Sequence, residues 1–486
     1  MGLILESIDT LVPLFGIPSL GFLVLLFTNS NQVREVSLFF SILTFLESLR
    51  LWKNFDYSTS DFQYSMKFSW TSDYVFFFGL DGISLFFIIL TALLIPICIV
   101  ASWDTIKIMR KEYQLCFIGM LVLLIGVFTV LDLLGFYIFF EGVLIPMFLI
   151  IGVWGARELK ITASYYFFFY TLVGSVLMLL SIFYIYYITG STDYLVLINY
   201  KLDGDVQKVI FLCFFASLAV KIPMFPFHIW LPLAHVEAPV AGSVILAGIL
   251  IKLGAYGFIR FTLPLLPDAS VYFTPLVLTL SCLAIVYASL TTLRQTDLKR
   301  VIAYSSVAHM GVVMLGIFSL SVIGVEGSIF LQLAHGLVSG ALFILVTLLY
   351  ERHHSRIIKY YRGVTLTMPL FSLIFLFFTL ANIAVPLSCN FIGEFLSLLA
   401  IFEVNPFITI ISCLGIILSA AYSLFLYNRV CFGSMSVYIK HSVYSRDLSR
   451  REFYVLLPLV FLTILLGVYP NICLDVMHAS VLKIFY

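Results

Sequence analysis

Apolar runs of membrane-spanning length recur along almost the whole chain, and they limit what it can fold into. A helix needs about 20 apolar residues to cross the hydrocarbon core of a bilayer. Roughly fourteen such runs are present, near 8–28, 36–51, 75–102, 113–131, 133–154, 162–189, 207–229, 240–262, 272–293, 300–322, 325–350, 366–403, 407–431 and 453–474. A composition of 62% hydrophobic and 11% charged residues over 486 positions excludes a soluble globular protein. The runs are continuously apolar rather than alternating, so they read as helices and not as barrel strands. The expectation is an all-α polytopic membrane protein, about 14 transmembrane helices in a single membrane domain over 1–486. The twelfth run is too long for one straight crossing, and Pro386 with Asn390 predicts a break within it.

Loop charge sets the expected orientation. About two-thirds of the 27 lysines and arginines fall in odd-numbered loops, among them Arg34, Lys107, Arg110, Lys111, Lys299, Arg300 and Arg356. Arg50, Lys53, Lys67, Lys201, Lys208, Arg260 and Lys483 are assigned to even-numbered loops and the termini. Odd loops are therefore expected to face the cytoplasm or matrix, and both termini the opposite side. Residues 1–20 hold Glu6 and Asp9 but no Lys or Arg, so no cleaved presequence is expected. The chain is expected to insert where it is made, in a bacterial membrane or from an organelle's own ribosomes.

Several chemistries find no support. The eight cysteines stand singly, with no CxxC or metal-like spacing, so neither an iron–sulfur cluster nor a metal site is expected. No GxGxxG fingerprint is present, and a net charge of +1 without a basic tract gives no reason to expect a nucleic-acid partner.

The informative residues are the ionisable ones inside the runs: Glu141 in FFEGVLIPMF, Lys221 in LAVKIPMFPF, Lys252 in GILIKLGAYG, and Glu394 in FIGEF. Lys252 lies roughly 18 and 15 Å from the two ends of its run at 1.5 Å per residue, too deep for its stem to reach water. A charge at the midplane costs about 2.5–3.5 kcal/mol even on a lenient insertion scale. Pro223 and Pro226 cannot donate to the carbonyls of Ala219 and Ile222, so a half-helix is expected to end beside Lys221. The negative dipole end favours the charged lysine, while burial favours the neutral one. Opposed terms of this kind suit a group that takes and releases protons. Glu394 is the mirror case, expected in the first turns of a half-helix after Pro386, where the positive dipole end favours a carboxylate. His228, His235, His309 and His335 lie in or at the ends of spans, and neutral imidazole passes protons at ordinary pH. Paired broken helices, the seventh and the twelfth, point to a pseudo-symmetric transporter.

Structural roles compete with these. A buried Glu141–Lys221 pair can simply hold helices together, and a lone intramembrane histidine is often a helix–helix hydrogen-bond partner. His228 and His235 can serve only to satisfy freed backbone. Asp81 in GLDGIS reads as structural, near a span end. Arg294, Asp297, Lys299 and Arg300 read as a solvated rim that sets topology, and FFF (76–78) and FFFY (167–170) as lipid-facing or packing surface. Three functions remain: a proton channel within a redox-driven pump, a cation/proton antiporter, and a haem- or quinone-bearing redox subunit. The last is the weakest, because the histidines do not pair by register.

The blocks KIPMFPFHIWLPLAHVEAPVAGSVILAGILIKLGAYG (221–257) and LRQTDLKRVIAYSSVAHMG (293–311), with FGLDGISLFF, FFEGVLIPMF and FIGEF, resemble the antiporter-like subunits of respiratory complex I along nearly the whole chain. HVEAP, LYERH (349–353) and a Glu at 394 where relatives carry Lys narrow the resemblance to one branch, of the mitochondrial type found in plants and algae. The resemblance implies three helices over 1–112, two inverted repeats over 113–262 (spans 4–8) and 272–431 (spans 9–13), and a loop with a last helix over 432–486. It implies a proton-translocating part of NADH:ubiquinone oxidoreductase in which Glu141 and Lys221 form a coupled pair. Lys252 is then the central relay, His309 and His335 link it onward, and Glu394 is the exit. Pro223, Pro386, Asp81, His228 and His235 support the row. The chain itself is expected to hold no cofactor; NADH, FMN, iron–sulfur clusters and ubiquinone belong elsewhere in the complex. Implied partners are the other membrane-arm subunits, with the homologous chains 2 and 5 on either side, and lipids. The implied location is the mitochondrial inner membrane, both termini on the intermembrane-space side. Leu233 departs from the pattern, since relatives often carry a charge after WLP. Subunits of sodium/proton antiporter complexes share these motifs, so that alternative stays open.

Overall fold

The computed structural model describes residues 11–69, 75–436, 438 and 446–485, and these are overwhelmingly helical. Every expected run contains a helix, and among the described residues ten helices are long and apolar enough to cross a membrane. Many of their buried hydroxyls bond a carbonyl of their own helix, as Thr91 does with Ile88 (2.7 Å) and Thr347 with Phe343 (2.7 Å). A polar side chain is thereby satisfied without leaving the hydrocarbon.

The chain forms two compact units: Met1–Lys221 with Lys252–Phe273 and Asp475–Tyr486, and Ile222–Ile251 with Thr274–Leu474. The first holds the helices Val12–Phe27, Val33–Lys53, Gly82–Ala101, Arg110–Thr129, Leu133–Trp154, Lys160–Thr189 and Gly204–Lys221. The second holds Trp230–Glu237, Leu298–Ile317, Val322–His353, Pro369–Asn382, Cys389–Val404, Pro406–Cys431 and Arg450–Val468. The most apolar stretch of the Val322–His353 helix is wholly buried, whereas Arg450–Val468 exposes most of its own, including Phe461 and Tyr454. Apolar exposure on this scale is stable only against lipid or another apolar surface.

Both expected breaks are present. The helix Gly204–Lys221 stops at Lys221, and residues 222–229 are non-helical. Pro369–Asn382 stops before Pro386, and Cys389–Val404 restarts the direction of the chain.

Other expectations need correction. The run 75–102 does not begin as a helix: Val75–Leu80 is a strand, antiparallel to Gln63–Ser69, with Lys67 opposite Phe77. Period-two pairing is invisible where both strand faces are aromatic, so the strand reads as part of the following helix. A further helix, Asn471–Phe485, follows the last expected span. Its Ser480 hydroxyl accepts a bond from the Gly82 N–H (3.0 Å), and Lys483 pairs with Asp61 at 2.7 Å. The hydrogen bond from Lys483 holds the Asp61 carboxyl below the usual carboxylate range.

Arg260 is not a loop charge. It lies in the Val240–Leu265 helix, is buried, and pairs with Asp81 at 2.5 Å. Asp81 also caps Gly82–Ala101, accepting from the Ser84 N–H while the Ser84 hydroxyl accepts from the Asp81 N–H. Each charge is therefore satisfied by a specific partner. Asp81→Leu is expected to uncap one helix and leave Arg260 buried without a counter-charge. The cost should be about 3–5 kcal/mol, read as a fall in the melting temperature and in the amount of chain retained in membranes.

Candidate functional site

In the first unit the site is built around the end of the Gly204–Lys221 helix. Pro223 and Pro226 offer no N–H to the last carbonyls, so the helix ends on Lys221 with its negative dipole end at the lysine. Lys221 is 4% exposed, and its ammonium lies 4.3 Å over the ring of Phe140. A desolvated cation–π contact contributes about 2 kcal/mol. Glu141 is the next residue along the Leu133–Gly142 helix after Phe140. Among the described residues no ion pair joins Glu141 to Lys221, and Oε1 of Glu141 is buried without a hydrogen-bond partner. Ser175 lies beside the carboxylate.

Lys252 follows a π turn, Leu246–Leu250, in which the helix takes in one extra residue. Its side chain is fully buried. Such turns re-aim the residues after them and are frequent at functional sites.

In the second unit three helices bring together His309, His335 and Glu394. His309 is on Leu298–Ile317, His335 on Val322–His353 and Glu394 on Cys389–Val404. Nδ1 of His309 is 2.8 Å from Oε1 of Glu394, and the two imidazole rings are 5.5 Å apart. Glu394 lies in the second turn of its helix, as its place after Pro386 predicts. A glycine makes the approach possible: a Cβ on Gly393 would lie 2.6 Å from Cα of Leu331, on the helix that carries His335. Several neighbouring polar atoms are buried without a partner, namely Nε2 of His309, both amide atoms of Gln332, Nδ2 of Asn390 and the Tyr422 hydroxyl. Buried polar atoms of this kind are ordinarily met by ordered water.

His228 lies in the break, its ring against Phe225, Tyr287 and Tyr304. His235 is fully buried and stacks at 4.6 Å on Phe343.

Lys299 is not a rim residue. It is buried and donates to the Ala238 carbonyl (3.0 Å) and the Ser243 hydroxyl (3.4 Å). Near it Arg356 donates to the Val236 carbonyl and lies 3.9 Å from Glu237. Glu237 and Arg356 were not singled out from sequence as site residues. The signal available was a carboxylate directly before the Ala238–Pro239 turn that ends a short helix.

Residues 130–419 match the family of NADH:quinone oxidoreductase/Mrp antiporter transmembrane segments. Residues 14–131 match the amino terminus of NADH-ubiquinone oxidoreductase chain 4. The chain belongs to that family. Chain 4 of Metridium senile is 58% identical over 457 residues, covering 92% of both chains, and that of Arabidopsis thaliana is 52% identical over 469 residues, covering 96% and 94%. A chain of the respiratory complex I of Thermus thermophilus solved with bound NADH has a TM-score of 0.88 at 29% identity, over 98% of this chain and 100% of that one. The Mrp complex of a Dietzia species gives 0.84 at 17% identity over 98% and 96%, a likeness of fold alone.

A charged hydrogen bond contributes about 1.5–3 kcal/mol. A double-mutant cycle of His309→Gln and Glu394→Gln, read by thermal unfolding of the purified protein, is expected to return a coupling energy in that range.

Proposed function

We propose that the chain carries protons along Glu141, Lys221, Lys252, His309, His335 and Glu394. It is the antiporter-like chain 4 of complex I, a proton-translocating subunit of NADH:ubiquinone oxidoreductase. The redox cofactors belong to other subunits, and the free energy comes from electron transfer there. The observation that carries the reading is the end of a helix on a buried lysine, beside a carboxylate whose buried Oε1 has no hydrogen-bond partner.

The proposed cycle follows from that arrangement. With Glu141 drawn close, the Lys221 ammonium is stabilised and keeps its proton. With Glu141 withdrawn, burial dominates and the ammonium gives its proton through water to the neutral amine of Lys252. Lys221 is then neutral and Lys252 charged. Lys252 returns to the neutral amine by giving its proton up to water, the imidazoles of His309 and His335 take a proton from water and pass it onward, and the Glu394 carboxylate accepts it before release to the positive-outside compartment. Pro223 and Pro386 keep the breaks open, and His228 and His235 support the polar path. Asp81 serves the fold. An array with chains 2 and 5 on either side, 14 crossings with inverted repeats over spans 4–8 and 9–13, and both termini on the intermembrane-space side of the mitochondrial inner membrane complete the proposal. The antiporter reading is the less supported, since the Mrp likeness is one of fold at 17% identity.

Lys221→Ala is expected to abolish coupled proton pumping in an assembled complex. The proton yield per NADH oxidised is measured in reconstituted vesicles, with assembly checked on native gels. A normal yield from an assembled variant would overturn the role of Lys221.

A further inference from the structure

Between the helices Val12–Phe27, Arg110–Thr129 and Leu133–Trp154 the first unit carries an open trough of about 700 Å³. Its walls are apolar, with Phe22 and Leu23 on one side, Leu115 and Val122 along the floor, and Ile145 and Leu149 opposite. From Leu115 to Leu123 it runs about 12 Å at 1.5 Å per residue, most of the roughly 15 Å of hydrocarbon in one leaflet.

One end of the trough carries more cations than acids. Leu115 stands one turn from Lys111, which donates to the Leu26 carbonyl at 2.6 Å. The loop before it carries Lys107 and is held to the trough's mouth by two bonds. Arg34 donates to the Ile106 carbonyl at 2.9 Å, and the Trp154 indole donates to the Ile108 carbonyl at 3.0 Å. Arg110 opens the helix with its Nε shielded from solvent and without a hydrogen-bond partner. Arg157 and Lys160 follow on the next loop, and the acids nearby, Glu35, Asp104, Glu112 and Glu158, leave the cluster positive. Ile108 and Met109 are 76% and 50% exposed beside these cations. Basic residues, exposed aliphatics and tryptophan at one level mark a membrane–water interface.

We propose that the trough is a binding site for one anionic phospholipid, its acyl chain along Leu115–Leu123 and its phosphate at Lys107, Arg110 and Lys111. A transmembrane helix laid in the trough would fill the apolar part. It would also cover Arg110 and Lys111 with apolar side chains and leave their charges unpaired, which is costly. A phospholipid satisfies both ends at once. Phosphate accepts the guanidinium and ammonium donors, and the chain covers the walls.

The test uses the intact complex in vesicles containing either phosphatidylglycerol or phosphatidylcholine with a photoreactive diazirine on one acyl chain. After irradiation, peptides covering 110–129 and 142–154 are expected to carry adducts from phosphatidylglycerol well in excess of those from phosphatidylcholine. Removing two interfacial cations in Arg110→Gln/Lys111→Gln should lower that preference by roughly thirtyfold. Where the variant fails to assemble, unlabelled phosphatidylglycerol competing on the unaltered complex must lower the adduct. Equal labelling by both lipids, or no effect of the competitor, would reduce the trough to unspecific lipid contact and overturn the site. Absence of adducts on these peptides would mean that a protein partner covers it, which also overturns it.

Discussion

No peptide group can be left without a hydrogen bond in hydrocarbon, and this constraint governs the rest of the structure. It makes every long apolar run helical, and it makes each interruption costly unless the protein supplies other partners. Two of the interruptions inside expected runs, 222–229 and 383–388, are therefore informative. Each is enforced by proline and each sets an ionisable side chain at or near a helix end, Lys221 at a C-terminus and Glu394 close to an N-terminus. The dipole that backbone geometry produces at those ends has the sign that the side chain needs.

Two kinds of buried charge can be told apart by how completely they are satisfied. Asp81 and Arg260 form a closed pair at 2.5 Å, with the carboxylate also capping a helix, and little remains for a proton to do there. Among the described residues no ion pair joins Glu141 to Lys221, and the His309–Glu394 pair is surrounded by polar atoms that lack partners. Stability alone favours the closed arrangement.

Most of the fold was legible because helix length and proline position are local properties. Residues 8–28 through 453–474 were placed by apolar runs, and both breaks by Pro223, Pro226 and Pro386. The strands Gln63–Ser69 and Val75–Leu80 were not legible, since an aromatic strand next to an apolar helix leaves no change of pattern. Arg260 and Lys299 were misread for one reason: a charge near the end of a run looks like a loop residue until a distant partner is known. Asp81 is 179 residues from Arg260, and no periodicity reaches that far. In the candidate site, the placing of Lys221 and Glu394 beside breaks could be derived, whereas the contact of His309 with Glu394 required two distant helices to be packed together.

The glycine contact beside Glu394 sets the stiffness of that region. Gly393 lies against the backbone of Leu331, and Gly327 of the same partner helix against Leu396, with no room for a methyl group at either point. Helices locked backbone to backbone do not slide past each other by fractions of a turn, because any axial shift drives a side chain into the gap. The mobile parts in this neighbourhood are the light ones: a carboxylate rotamer, an imidazole tilt, a proton.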